Sequence, residues 1–267
     1  MRRPVRESIA SESRPHPATA SALSPDALVL ESRARLLAGA DPRVAARAMS
    51  YFKDGEQVAC YGLTAAGLRQ IARELSRRVA RQWTLRDAVA YCDAMLALPQ
   101  LEAKGLGLLL LERYQRFFTR GLLRTAKSWL VRGRCANWAT TDALSLLVVA
   151  PLLARWPDEA RSVAGWTRSR NLWLRRASAV ALVPLARRGE ALAIAYGVAT
   201  ALRDDREDLL HKATGWLLRE AGKTDAARLE RYLLAQGERL PRTAVRYAIE
   251  RFPPARRRRL LVLTSCR

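Results

Sequence analysis

The stretch RNLWLRRASAVAL, residues 170–182, returns 36 positions later as REDLLHKATGWLL, residues 206–218, with Leu174 over Leu210, Arg176 over Lys212, Ala177 over Ala213 and Leu182 over Leu218. A shorter third copy, AVRYAIERF at 244–252, brings Ala248 to 35 positions beyond Ala213. Apolar residues in each copy recur at the spacing of one helix face. A period of this length is that of a helix-pair repeat, in which each pair buries its apolar stripe only against its neighbours. The chain therefore reads as all-α, a HEAT-like helical-repeat solenoid. Stacked in register, Arg176 and Lys212 share one face, so the expected superhelix carries a concave basic track able to follow a nucleic-acid backbone.

Helical spacing extends through most of the remaining chain. It predicts helices over 25–38, 42–52, 65–80, 85–98, 100–118, 121–132, 138–155, 158–167, 172–188, 190–203, 207–221, 224–236, 241–251 and 254–264. No period-2 run bounded by turn residues argues for a strand. Ser24-Pro25 and Asp41-Pro42 place proline in a first helical turn, and Trp156-Pro157-Asp158 ends one helix and begins another. Residues 53–64 (KDGEQVACYGLT) read as an irregular loop, with Thr64 as the N-cap of the helix that follows.

Residues 1–24 are rich in Arg, Ser and Pro and lack a continuous apolar run, so they are expected to form a disordered tail and not a secretory signal. Residues 25–254 would be the repeat domain and 255–267 an Arg-rich C-terminal segment. The apolar run 144–154 (LSLLVVAPLLA) is too short to span a bilayer and contains Pro151, so it reads as a core helix, and no membrane partner is expected.

Charge is the unusual quantity. The chain has 47 Lys and Arg against 25 Asp and Glu, a formal charge of +22. Residues 1–24 account for +2 of it and 255–267 for +5, which leaves +15 on the body. An excess of that size on a folded body implies a polyanionic partner. The cysteines, Cys60, Cys92, Cys135 and Cys266, form no CxxC pair and have no neighbouring histidine, so neither a zinc site nor a thiol redox motif is expected. They read as buried thiols in a reducing compartment.

HExxH, GxxxxGK[ST], GxGxxG and GxSxG are all absent, and His16 and His211 are the only imidazoles, which disfavours metal or triad hydrolysis. His211 lies beside Lys212 on an expected helix, where packing or a phosphate contact suits it better than catalysis. In NWATTD (137–142), Trp138 and Asp142 are four apart and project from one helix face, which holds a carboxylate beside an indole. In KATGWLLRE (212–220), Trp216 is flanked at helical spacing by Lys212 and Arg219. An aromatic beside cations suits a nucleotide held against phosphate. Read singly, each tryptophan fits the core better than a functional role, and Asp142 could be a solvated charge.

The ordered series CANWATTDAL (135–144), RNLWLRRA (170–177) and HKATGWLLREAGKT (211–224) resembles the bacterial DNA alkylation repair family of HEAT-like DNA glycosylases, over roughly residues 42–252. The resemblance implies release of cationic N3- and N7-alkylated purines from double-stranded DNA without base flipping. It implies that Trp138 and Trp216 face the damaged nucleotide's sugar with Asp142 beside it. Arg176 would hold backbone phosphate, with Lys212 and Arg219 as neighbours. No metal or organic cofactor is implied. The chain departs from the family's usual Thr-Pro at Thr64-Ala65, and has Asn137 where an aromatic often precedes the tryptophan. The expected state is a monomer in the bacterial cytoplasm, at the nucleoid through DNA. Two other readings remain open at this point, a non-catalytic binder of branched or distorted DNA and a protein-interaction solenoid.

Overall fold

The computed structural model describes residues 23–52 and 58–265. Among them lie sixteen α-helical segments. These are α1 (Pro25–Ala38), α2 (Pro42–Met49), α3 (Ala65–Val79), α4 (Leu85–Ala97), α5 (Leu101–Glu112), α6 (Leu122–Val131), α7 (Trp138–Leu144), α8 (Ala150–Arg155), α9 (Glu159–Ala164), α10 (Leu172–Val180), α11 (Val183–Arg187), α12 (Leu192–Ala201), α13 (Asp208–Ala221), α14 (Ala226–Gln236), α15 (Arg242–Ala248) and α16 (Pro254–Leu263). The only extended pairing among the described residues is an isolated bridge between Ala59 and Gln100.

Helix starts follow the local chemistry. Ser24, Asp41, Thr64, Asn137, Asn171 and Asp225 each accept a first-turn backbone N–H with their side chains. Thr84 and Asp87 form a capping box, and such caps contribute about 1 kcal/mol each. Three expected helices are interrupted, each for a legible reason. Pro151 lacks the N–H that would bond back along the helix, and the residues just before it, Ser145–Val149, form a π turn between α7 and α8. Pro184 breaks the expected 172–188 helix into α10 and α11. The expected 100–118 helix ends at Glu112, before a 3₁₀ turn at Gln115–Phe117.

The helices stack in two layers. In one, α5, α7, α10, α13 and α15 each pack on the next. In the other, α6, α9, α12 and α14 lie against them, with α9 on α12 and α16 on α14. Side-chain hydrogen bonds repeatedly link residues one repeat apart: Trp129 to Asp93 (36 apart), Arg155 to the Arg116 carbonyl (39) and Arg187 to Glu220 (33). Nearest-neighbour bonding of this kind is what a helical-repeat stack produces. The rod Trp138–Arg155 is 18 residues long with mean hydropathy 1.2, and it packs against α5, α6 and α10 inside this stack.

Small residues set the seam of the first layer. Ala177, Ala213 and Ala248, which the repeat aligns, are at most 2% exposed. Gly215 carries the closest approach, because a Cβ there would lie 2.4 Å from Tyr247 Cβ and 2.6 Å from the Ala244 carbonyl oxygen. At the N-terminal end of the layer, buried Glu102 accepts backbone N–H bonds from Tyr61, Gly62 and Leu63 at 2.9, 2.7 and 3.1 Å, which ties the 58–63 segment to α5. Gly62 has φ +90 and lies under the Asp41 carbonyl, a position only glycine fills without strain.

Cys92 and Cys135 are buried free thiols, and Cys60 is half-buried. The expectations for residues 1–22, including His16, for 53–57 and for Cys266 lie outside the described residues.

Replacing Gly215 by alanine should force α15 away from α13. The expected cost is about 1–3 kcal/mol, the usual penalty for overpacking a filled interface, read as a lowered urea midpoint with an unchanged m-value.

Candidate functional site

The residue that precedes each seam alanine points about 100° around its helix from the seam. Arg176 before Ala177, Lys212 before Ala213 and Tyr247 before Ala248 hold this register on α10, α13 and α15, and Asp142 precedes the partly buried Ala143 on α7. All four line one open cavity of about 410 Å³. Trp138, Trp216 and Arg219 line it too, with Tyr51 and Leu209. The six residues singled out from the sequence thus converge in a single place.

Trp138 begins α7, where Asn137 Oδ1 accepts the Thr140 N–H at 2.9 Å and fixes the first turn. Asp142 follows one turn later. Phe52 stacks on the Trp138 indole at 5.3 Å between centroids and 26° between planes. Trp216 stands one turn after Lys212 on α13, and Arg219 three residues further on. The cavity is therefore framed by indoles from two helices that do not adjoin each other, with α10 between them.

Asp142 and Arg176 form the deepest charged contact. Arg176 Nε donates to Oδ1 at 2.8 Å and Nη2 to Oδ2 at 2.7 Å, a two-pronged pair linking α7 to α10. The side chains are 14% and 7% exposed, respectively. Arg176 Nη1 also donates to the Leu209 carbonyl. Burial pushes the Asp142 carboxyl above the usual carboxylate range, against the opposing pull of Arg176. The sequence resemblance assigns Arg176 to a phosphate. The guanidinium is instead largely withdrawn from solvent and committed to Asp142 and Leu209, so in this structure it orients the carboxylate.

Of the remaining cations, Lys212 is the more available, and Arg219, 19% exposed, is held by carboxylates. Lys212 Nζ pairs with Asp208 at 2.8 Å, with both side chains near 40% exposed, a solvent-screened contact that gives way easily to a phosphate. Asp208 also raises the Lys212 pKa, so the ammonium stays charged at neutral pH. Arg219 bonds Glu250 and lies within 3.3 Å of Glu220. His211 Nε2 lies 2.7 Å from the Asp205 carbonyl, a local structural bond outside the cavity lining. Among the described residues, no group of three or more His, Cys, Asp and Glu side chains is placed to hold a metal ion.

Sequence reasoning missed Tyr51, Phe52, Leu209 and Tyr247. Tyr247 carried a signal, since the third repeat copy puts it 35 positions beyond Lys212 and thus in the cavity register. Leu209, three residues before Lys212 on α13, was open to the same helical reading. Tyr51 and Phe52 follow α2, and no local pattern announces that this turn folds back over α7.

Three comparisons bear on these observations. A family model described as DNA alkylation repair enzyme matches residues 32–252. Among solved structures, a protein described as a predicted DNA alkylation repair enzyme from Enterococcus faecalis superposes with a TM-score of 0.69 at 18% identity, covering 80% of this chain and 97% of its own. At that identity the likeness shows the fold alone. No curated protein matches the sequence.

Removing Arg176 would strand a carboxylate already held above its usual pKa by burial. Arg176→Ala is expected to cost about 3–5 kcal/mol at neutral pH, the penalty for an orphaned buried charge. The sign follows from the proton. A folded-state pKa above the unfolded value makes the native state the stronger proton binder, so the deficit grows as pH rises through that pKa and shrinks in acid. Urea unfolding at pH 7 and near pH 4 checks both halves.

Proposed function

Because the chain belongs to the DNA alkylation repair enzyme family, we propose that it is a monofunctional DNA glycosylase that hydrolyses the N-glycosidic bond of cationic N3- and N7-alkylated purines in duplex DNA. The observation that carries this reading is the convergence of Trp138, Trp216 and the buried Asp142 carboxylate in one open cavity.

An alkylated purine is already positively charged, so its departure needs no general acid. The C1′–N bond breaks with its electron pair going to the base, which leaves neutral. Positive charge then grows on the sugar, and a carboxylate in a poorly solvated site stabilises that charge better than one in bulk water. The indole faces favour the same cation. A water adds to C1′ and passes a proton to Asp142, whose raised pKa makes it the better acceptor. The bidentate Arg176 contact leaves each carboxylate oxygen a free lone pair for this role. The cavity lining contains one lysine, Lys212, and its charged state works against Schiff-base chemistry, so the product is an abasic site without strand cleavage. The open cavity suits a base that stays in the duplex, and Lys212, with Arg219 once it exchanges Glu250 for a phosphate, suits the flanking backbone.

Methylated duplex DNA incubated with the protein should yield free 7-methylguanine or 3-methyladenine. Asp142→Asn should lose roughly 100-fold or more in single-turnover release, on the scale of removing one oriented catalytic group, while still shifting DNA in a gel. Release by the wild type should also fall in acid as Asp142 takes up its proton, at a pH above that of a solvent-exposed aspartate. Binding without any release by the wild type would favour instead a structure-specific DNA binder.

A further inference from the structure

A second cavity, of about 220 Å³, opens between α3 and the end of α5. Arg73 and Arg77 reach it from α3, and Arg113 and Arg116 from the turn after α5. All four are exposed. Among the described residues none of the four forms an ion pair, although many other arginines of this chain are matched to carboxylates. Glu74, next to Arg73, is hydrogen-bonded by Arg35 and Gln70 and feels Arg73 only through its field, as Glu112 feels Arg113. The C-terminal dipoles of α3 and α5 favour a cation near each end, which accounts for Arg77 and Arg113 but not for Arg73 and Arg116. Four like charges around one concavity repel, and an incoming anion relieves that repulsion.

The other lining groups fit the same ligand. Tyr114 lines this cavity at 4% exposure, and its hydroxyl is buried without a hydrogen-bond partner among the described residues. Phe117 is 50% exposed at the mouth with the Arg116 guanidinium 4.6 Å over its ring. Planar guanidiniums offer paired donors that match phosphate oxygens, and an exposed aromatic beside them gives a sugar or base a surface to rest on. The catalytic-type cavity draws its residues from α7, α10, α13, α15 and the turn after α2, so the two share no lining residue.

We propose that Arg73, Arg77, Arg113 and Arg116 form a second DNA-backbone site, which grips a phosphodiester away from the damaged nucleotide. The proposal rests on DNA being the ligand of this chain but not on base release. Its effect is on affinity, with the chemical step left to the other cavity.

The test is salt-dependent binding of an undamaged 25-base-pair duplex by the full chain. Arg73→Gln/Arg113→Gln should lower the magnitude of the log–log salt slope by about 0.9 for each phosphate that the protein no longer neutralises. It should also weaken binding several-fold at 0.1 M salt. Arg161→Gln/Arg168→Gln removes the same charge beside α9 and should change the slope far less. Millimolar inorganic phosphate should occupy the same pocket and narrow the difference between the wild type and Arg73→Gln/Arg113→Gln. Equal slopes for the two double variants, or a wild-type slope retained by Arg73→Gln/Arg113→Gln, would overturn the proposal while leaving the base-release reading intact. Failure of the wild type to release base, with this slope difference present, would sink that reading and leave the second site standing.

Discussion

Arg176 and Asp142 join two successive helices, α7 and α10, through a bidentate contact that is nearly closed to water, and the arrangement of the cavity follows from it. The pair fixes the roll of α7 against α10, and the roll of α7 determines where Trp138 points. Arg176 also reaches the carbonyl of Leu209, which ties the same guanidinium to the first turn of α13. Three helices are thus referenced to one planar group. Helix α7 sets Trp138 against the Asp142 carboxylate one turn away, and Arg176 of α10 sets where Trp216 of α13 stands relative to both.

The repeat was legible because it is a steric necessity repeated in sequence. Ala177, Ala213 and Ala248 recur at one register since helices can approach closely only where side chains are small. The residue before each alanine points about 100° aside from the seam, and this brings Arg176, Lys212 and Tyr247, with Asp142 of α7, to one cavity despite separations of 34, 36 and 35 residues. Three of these four were readable as site residues. Tyr247 is harder to read because a lone tyrosine in a short helix looks like packing, and only its register distinguishes it.

What remained hidden depends on longer-range geometry or on cooperative local geometry. The pairing of Arg176 with Asp142 depends on burial, and burial is a property of the stack that no single helix carries. The turn carrying Tyr51 and Phe52 lies more than 80 residues from Trp138 in sequence, so no periodicity links them. The helix breaks at Pro151 and Pro184 carried a local signal, since proline removes a ladder hydrogen bond. Whether the chain answers with a π turn or with a full restart depends on what each rod packs against. Trp138–Arg155 keeps its direction between α5 and α10, whereas α11 departs to meet α8 and α13.

The chemical character of the Asp142–Arg176 pair is itself an argument about what the fold is for. Taking two charges out of water costs several kcal/mol per ion before their attraction repays it, and hydrophobic residues of similar volume often hold helices together as well or better. This chain has such a solution elsewhere, since the neighbouring seam is built from alanine and glycine. A pair placed where it lines an open cavity adds to packing a direction that apolar side chains do not supply. Its distinctive consequence is a carboxylate with fixed direction, low solvation and raised proton affinity beside two aromatic faces. In the proposed reaction, where positive charge develops nearby, those properties have a use beyond holding α7 to α10.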